Sequence, residues 1–174
     1  MKTSRILYRC VFPVFIFLIL TSCSLTDDEK SQPVKKAQNE MPSGAPGLTE
    51  EAVMELVERM DDATTYMDTI VLSECLAPSA VFTFKFRGQS KKMKAGAYLE
   101  TLETGWEKCE DFQYERENQV IRLGKDGKSA VVEADVTEAY VIRGKETTSR
   151  SHEKVTMKLI DGELLVVKAS AVMN

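Results

Sequence analysis

Two glutamates, a lysine and a serine are the residues of this chain whose types and spacing could do chemistry together. In the run 129–142, SAVVEADVTEAYVI, the even positions Ala130, Val132, Ala134, Val136, Tyr140 and Ile142 are apolar, while Glu133, Asp135 and Thr137 fall on the odd positions. Strand side chains alternate with a period of two, so even positions face inward there, and Glu138 is the one acid among them. A two-residue turn within Arg143–Glu146 and another at Asp161-Gly162 pass the inward set to the odd residues Val155, Met157 and Leu159, then to the even residues Leu164 and Val166. The same parity sends Glu153, Lys168 and Ser170 inward. Carboxylates beside an ammonium in a partly apolar cavity can hold a polar ligand, or shift each other's pKa into the range of proton transfer. At an open, wet end of the sheet the same residues would simply face water. A buried unpaired Glu is costly, so Lys168 or a hydroxyl should contact Glu138. Tyr140 and Phe84 are the further candidates for the lining.

These residues must be positioned by the elements around them. Thr49 is an N-cap candidate, Glu50 and Glu51 suit a first helical turn, and Val53, Leu56, Val57 and Met60 recur at helical spacing, with Ala63 and Met67 extending the stripe. Asp68 can cap a short second helix through Ile70, Val71 and Cys75 that Pro78 ends. In AVFTFKFRG the period changes to two, with Phe82, Phe84 and Phe86 on one face and Gly88 closing the strand. A third helix runs from about Lys94 to Trp106 with Tyr98, Leu99 and Leu102 as its apolar face. Four strands follow, at about 111–123, 129–142, 146–160 and 163–173, separated by GKDGK, RGK and DG. The register around GKDGK is open, so Tyr114 and Arg116 are left as either pocket or surface. The reading is an α+β domain over 48–174, a curved antiparallel meander packed on N-terminal helices.

That order, with CLAPSAVFTF between short helix and long helix and DGELLVVKAS at the end, resembles the nuclear transport factor 2-like superfamily, whose domain is a cone with an interior pocket. Ketosteroid isomerase and SnoaL-like relatives belong to it. The resemblance implies a helix-borne Tyr, a base Asp on the first strand and a neutral Asp on a later strand near Met60, Phe84 and Val155, all apolar here. Other relatives rely on His with Asp, but His152, the single His, shares its outward face with Lys154, Thr156 and Lys158. Members commonly dimerise through the convex face, and the outward positions Leu165, Val167, Ala169, Ala171 and Met173 of the last strand are apolar.

The first residues give an address. Lys2, Arg5 and Arg9 precede an apolar run from Val11 to Leu20, too short for the roughly 20 residues a spanning helix needs. Leu20-Thr21-Ser22-Cys23 resembles the lipobox of bacterial lipoproteins, which implies a signal peptide over 1–22 and an acylated Cys23 as the mature N-terminus. Ser24 after it suggests the outer membrane, facing the periplasm. Residues 23–47 are rich in Pro, Gly and mixed charge without an apolar face, and read as a tether. Loss of the leader leaves 20 basic against 27 acidic residues, a net charge of −7. Such a chain repels phosphate backbones, so nucleic acid is not a partner. With one His and no paired Cys spacing, no metal is expected, and nothing in the sequence asks for a cofactor. In an oxidising compartment Cys75 and Cys109 could pair, closing a loop of about 35 residues worth on the order of 3–4 kcal/mol. The leading expectation is a tethered module that binds a small apolar or amphipathic ligand, or an envelope protein, without catalytic residues. The alternatives are an acid/base enzyme using Glu138, Glu153 and Lys168, and a structural lipoprotein with a collapsed pocket.

Overall fold

The computed structural model describes residues 47–173; the leader, Cys23 and nearly all of the tether lie outside the described residues. Helix α1 (Glu50–Thr65) starts where Thr49 Oγ1 accepts from the Ala52 amide at 3.2 Å, and it buries Val53, Leu56, Val57 and Ala63. Met67 does not extend that stripe: it sits beyond the helix at φ 55° and is exposed. Asp68 Oδ1 accepts from the Ile70 and Val71 amides at 3.0 Å and caps α2 (Thr69–Glu74). Strand β1 (Leu76–Phe86) turns at Arg87-Gly88 into β2 (Gln89–Lys94), and α3 (Ala95–Trp106) follows. Then come β3 (Asp111–Leu123), β4 (Ser129–Ile142), β5 (Lys145–Ile160) and β6 (Glu163–Met173). Among the described residues, no helix is long and apolar enough to cross a membrane.

The six strands form one sheet in the order β2-β1-β6-β5-β4-β3. Strands β3 to β6 are the expected meander, but the sheet is mixed, because β1 pairs parallel to β6. The chain between β1 and β6, through β2, α3 and the first three meander strands, supplies the long connection that a parallel pair needs. To the expected meander the structure adds this parallel pairing and the short strand β2, whose QSKKMK has no apolar alternation to announce it.

Three register shifts shape the inner face. Between Leu76 and Val81, β1 spends five steps against two on β6, and Pro78 and Ser79 loop out to solvent. In β3 one extra residue stands between Glu117 and Val120, where Asn118 takes φ 53°. In β6 Val167 is the extra residue, since Val166 pairs with Met157 and Lys168 with Thr156. A bulge reverses the parity of everything beyond it. In β4 and β5 the alternation holds as read: Ala130, Val132, Ala134, Val136, Tyr140, Val155 and Met157 are all buried. Past Val167, however, Ala169 and Ala171 turn inward and Lys168 is exposed on the other side. The apolar outward stripe expected on the last strand is therefore broken, with Leu165 and Val167 half-buried against the core.

The inner face is graded as a result. At one end Leu76, Ala130, Met157 and Val166 pack with α1 as the apolar core. A second cluster of Ala63, Leu72 and Trp106 lies between helices, with the Phe112 ring at 6.2 Å and 61° to Trp106. Toward the other end, the floor passes through Val155 and Ala169 to Glu153 and Ala171, then to Arg116, Tyr114 and Glu138.

Candidate functional site

A cavity of about 60 Å³ opens between this polar end of the sheet and the three helices. Its apolar wall is Met60 and Leu72 with the rings of Phe82, Phe84 and Tyr98; Val155, Ala169 and Ala171 form the floor. Tyr98, carried by α3, stacks on Phe82 with ring centres 3.9 Å apart and on Phe84 at 5.9 Å. Small side chains at Ala169 and Ala171 leave the room that these rings surround.

The polar wall is built around Arg116, which the β3 bulge leaves on the inward, even parity. Its side chain is only 8% exposed. Nε donates to both carboxylate oxygens of Asp61 on α1 at 3.0 Å. Nη2 donates to Tyr114 Oη at 2.6 Å and lies 3.5 Å from Glu153 Oε2. Burial pushes the Asp61 carboxyl up despite the pull of the guanidinium, and it likewise raises Glu153, with Arg116 again opposing. Burial also lifts the Tyr98 and Tyr114 phenols above their ordinary range, and nearby Glu153 adds to it. Both phenols stay protonated and can donate.

Glu138 completes the wall from β4, opposite Tyr114 in register. Its carboxylate accepts no hydrogen bond among the described residues. Burial, then repulsion from Glu153, raises its pKa from the usual 4.5 to about 7. A carboxyl held there is half protonated at neutral pH, and can serve as donor or acceptor.

Of the residues singled out in the sequence, Glu138, Glu153 and Phe84 border the cavity; Ser170 borders it too, but the extra residue at Val167 puts it on the parity of outward Lys154 and not on the inward one expected. Tyr140 is buried but does not line it. Lys168 does not reach it, because the extra residue at Val167 turns it to solvent. The cation beside the glutamates is Arg116 instead. Met60, Phe84 and Val155, the positions corresponding to the relatives' catalytic groups, do line the cavity and are apolar. His152 faces outward and pairs with Asp135 at 2.9 Å across the strands. Cys75 and Cys109 are free thiols in this structure. They lie in different surroundings: Cys75 is fully buried beneath β6, with Arg59 and Glu74 as its charged neighbours, whereas Cys109 follows α3 near Glu138. Each bonds back into its own helix, to Val71 O and Gly105 O.

Sequence reasoning missed Asp61 altogether and left Arg116 and Tyr114 undecided. Asp61 follows Met60 on α1 and reads as an ordinary polar helix position. The one signal available was the isolated basic residue at an even position of YERENQ, which gains meaning only once the bulge is known.

No protein-family profile matches the chain, and no curated protein matches it in sequence. Solved structures do match in fold. A nuclear transport factor 2-like protein from Cytophaga hutchinsonii is 15% identical, with a TM-score of 0.60 over 73% of this chain and 100% of its own. One from Rhodospirillum rubrum, described as of unknown function in nutrient uptake, is 18% identical with a TM-score of 0.59, over 70% of this chain and 98% of its own. A third, from Novosphingobium aromaticivorans and described as having a cystatin-like fold, is 12% identical with a TM-score of 0.57, over 71% and 80%. The chain has the nuclear transport factor 2-like fold, with its cavity between sheet and helices.

Proposed function

We propose that this chain is an envelope lipoprotein, anchored through acylated Cys23, whose cone-shaped domain binds a small amphipathic ligand in the cavity between Arg116, Glu138 and the Tyr98 ring. One observation carries the reading: Glu138 borders a cavity without a hydrogen-bond partner among the described residues, while Asp61, Tyr114, Arg116 and Glu153 beside it bond one another. The Glu138 side chain is half-buried, so solvent in the cavity can serve its carboxylate, and a ligand that supplies a donor can take the place of that solvent. Size supports a small ligand. Drug-sized sites run to roughly 300 Å³ and more, far above the cavity here, so a steroid-sized apolar molecule does not fit. The apolar alternative recedes for the further reason that one whole wall is charged. The anchor rests on the leader and the Leu20–Cys23 pattern.

A second reading is favoured by the same carboxyl. Held near neutrality, Glu138 can exchange a proton with a bound molecule, while Arg116, bonded to Asp61, Tyr114 and Glu153, holds the rest of the polar wall in place. This keeps the acid/base alternative, with Arg116 in the place that Lys168 was expected to fill.

The full-length chain, extracted from membranes in mild detergent, tests the proposal by native mass spectrometry. A diacylated or triacylated N-terminus at Cys23 and a small-molecule adduct that Glu138→Gln loses are the expected results. An unlipidated chain in the soluble fraction refutes the anchor, and an adduct-free protein whose Glu138→Gln variant behaves identically refutes the site.

A further inference from the structure

Charge decides what can enter this cavity, given the reading above that it is a ligand site. Three carboxylates, Asp61, Glu138 and Glu153, face a single guanidinium. Arg116 is already engaged by Asp61, Tyr114 and Glu153, and an incoming anion would have to displace a carboxylate from it. Glu138 is the group left over. Lys168, the ammonium that alternation would have supplied, is on the opposite side of the sheet. Beside Glu138 and Glu153 stands Tyr98, close enough for both carboxylates to act on its phenol, its face stacked with Phe82 and Phe84. A carboxylate and aromatic faces around a desolvated space are what an ammonium group favours. Among the described residues, no three Asp, Glu, His or Cys side chains converge tightly enough to hold a metal ion, so the fit is to an organic cation.

We propose that the cavity binds a small primary or secondary alkylammonium ion, which forms a salt bridge with Glu138 and lays its carbon chain against Tyr98 and Phe84. Its size follows from the space. At 10–15 Å³ per water-sized position, the cavity offers about four to six positions, which suits an amine of a few carbons.

The binding depends on pH in a defined direction. The ionisable groups around Glu138 are Glu153 from β5, Tyr114 and Arg116 from β3, Asp61 from α1, Tyr98 from α3, Cys109 after it, and Tyr140 on its own strand. The salt bridge uses the ionised carboxylate, and the free protein holds half of it protonated at about pH 7. Apparent affinity for the amine is therefore about tenfold weaker at pH 6 than at pH 8, in proportion to the ionised fraction. A ligand that accepts a hydrogen bond from protonated Glu138 would show the opposite trend.

Calorimetric titration of the full-length chain in detergent micelles tests this with three probes of matched size: propylammonium, propionamide and propionate. Propylammonium is expected to bind at pH 8, to weaken about tenfold by pH 6, and to be lost in Glu138→Gln, whose fold is checked by circular dichroism. Binding of propionate or propionamide in preference to propylammonium overturns the assignment of charge and leaves the ligand site standing. An amine affinity that does not change between pH 6 and 8 overturns the role of Glu138. If none of the three binds, both this assignment and the ligand-site reading fail. The probe and pH series on the unaltered chain decides the question even if the variant does not fold.

Discussion

Glu138 makes a stability prediction as well as a chemical one. Its folded pKa of about 7 lies above the ordinary 4.5, so between those values the folded state holds a proton that the unfolded state has released. Stability from this group is full below about 4.5 and falls as pH rises through 7, by up to about 3 kcal/mol at one pKa unit per 1.4 kcal/mol. Glu138→Gln removes the titration. Its melting temperature, compared with that of the parent from pH 4.5 to 8, should be similar at the acid end and higher at the alkaline end. A difference constant with pH would mean that Glu138 ionises freely. Arg116 predicts the opposite kind of loss. Arg116→Met leaves Asp61 and Glu153 as half-buried carboxylates without their cation and should cost about 1–3 kcal/mol in urea unfolding. Arg116→Lys should recover little, because a single ammonium nitrogen cannot stand both at the Nε position beside Asp61 and at the Nη2 position beside Tyr114 and Glu153. Full recovery by Lys would show that charge alone matters there.

At the scale of elements, the tight turns hold the register. Arg143-Gly144 and Asp161-Gly162 have positive φ at both residues, 53° and 69° in the first, 51° and 92° in the second. This matches the type I′ geometry that suits twisted hairpins. Gly144→Ala should therefore destabilise by about 1–2 kcal/mol and Arg143→Asn should stabilise by a few tenths, both read from urea midpoints. An unchanged midpoint for Gly144→Ala would mean that the turn relaxes. The helices were legible from Thr49, Asp68 and the Val53–Met60 stripe, and β4 and β5 from their alternation. Lys168 was misplaced because a bulge is one residue without a sequence signature: Val167 is as strand-like as its neighbours, yet it reverses the parity after it. The same cause hid Arg116, since Asn118 marks a left-handed position that many Asn residues never adopt. The parallel pairing of β1 with β6 rests on contacts between residues some 85 to 90 positions apart, which no local pattern encodes.

For the whole molecule, the core among the described residues stands without a covalent staple. Cys75 and Cys109 are free, and burial pushes both thiols up, away from the reactive thiolate. Alkylation of the denatured chain should label both to the same extent with and without reductant, and in the native chain Cys109 should react well before fully buried Cys75. Labelling that needs reductant would establish the bridge after all. The cone was legible as a layout because its elements follow one another in order along 48–174. Its chemistry was not, since the site draws on α1, α3, β3, β4 and β5, and meets only when the sheet curls over the helices.

The two alanines on the cavity floor, Ala169 and Ala171, set its capacity by how little they occupy. Every charge around the chamber could be preserved while a few added methyl groups at Ala171 filled it. Such a protein would keep its fold and its charged wall, and its cavity would admit nothing. Selectivity by bulk and selectivity by charge are thus carried on separate strands of this molecule, and either can be altered without touching the other.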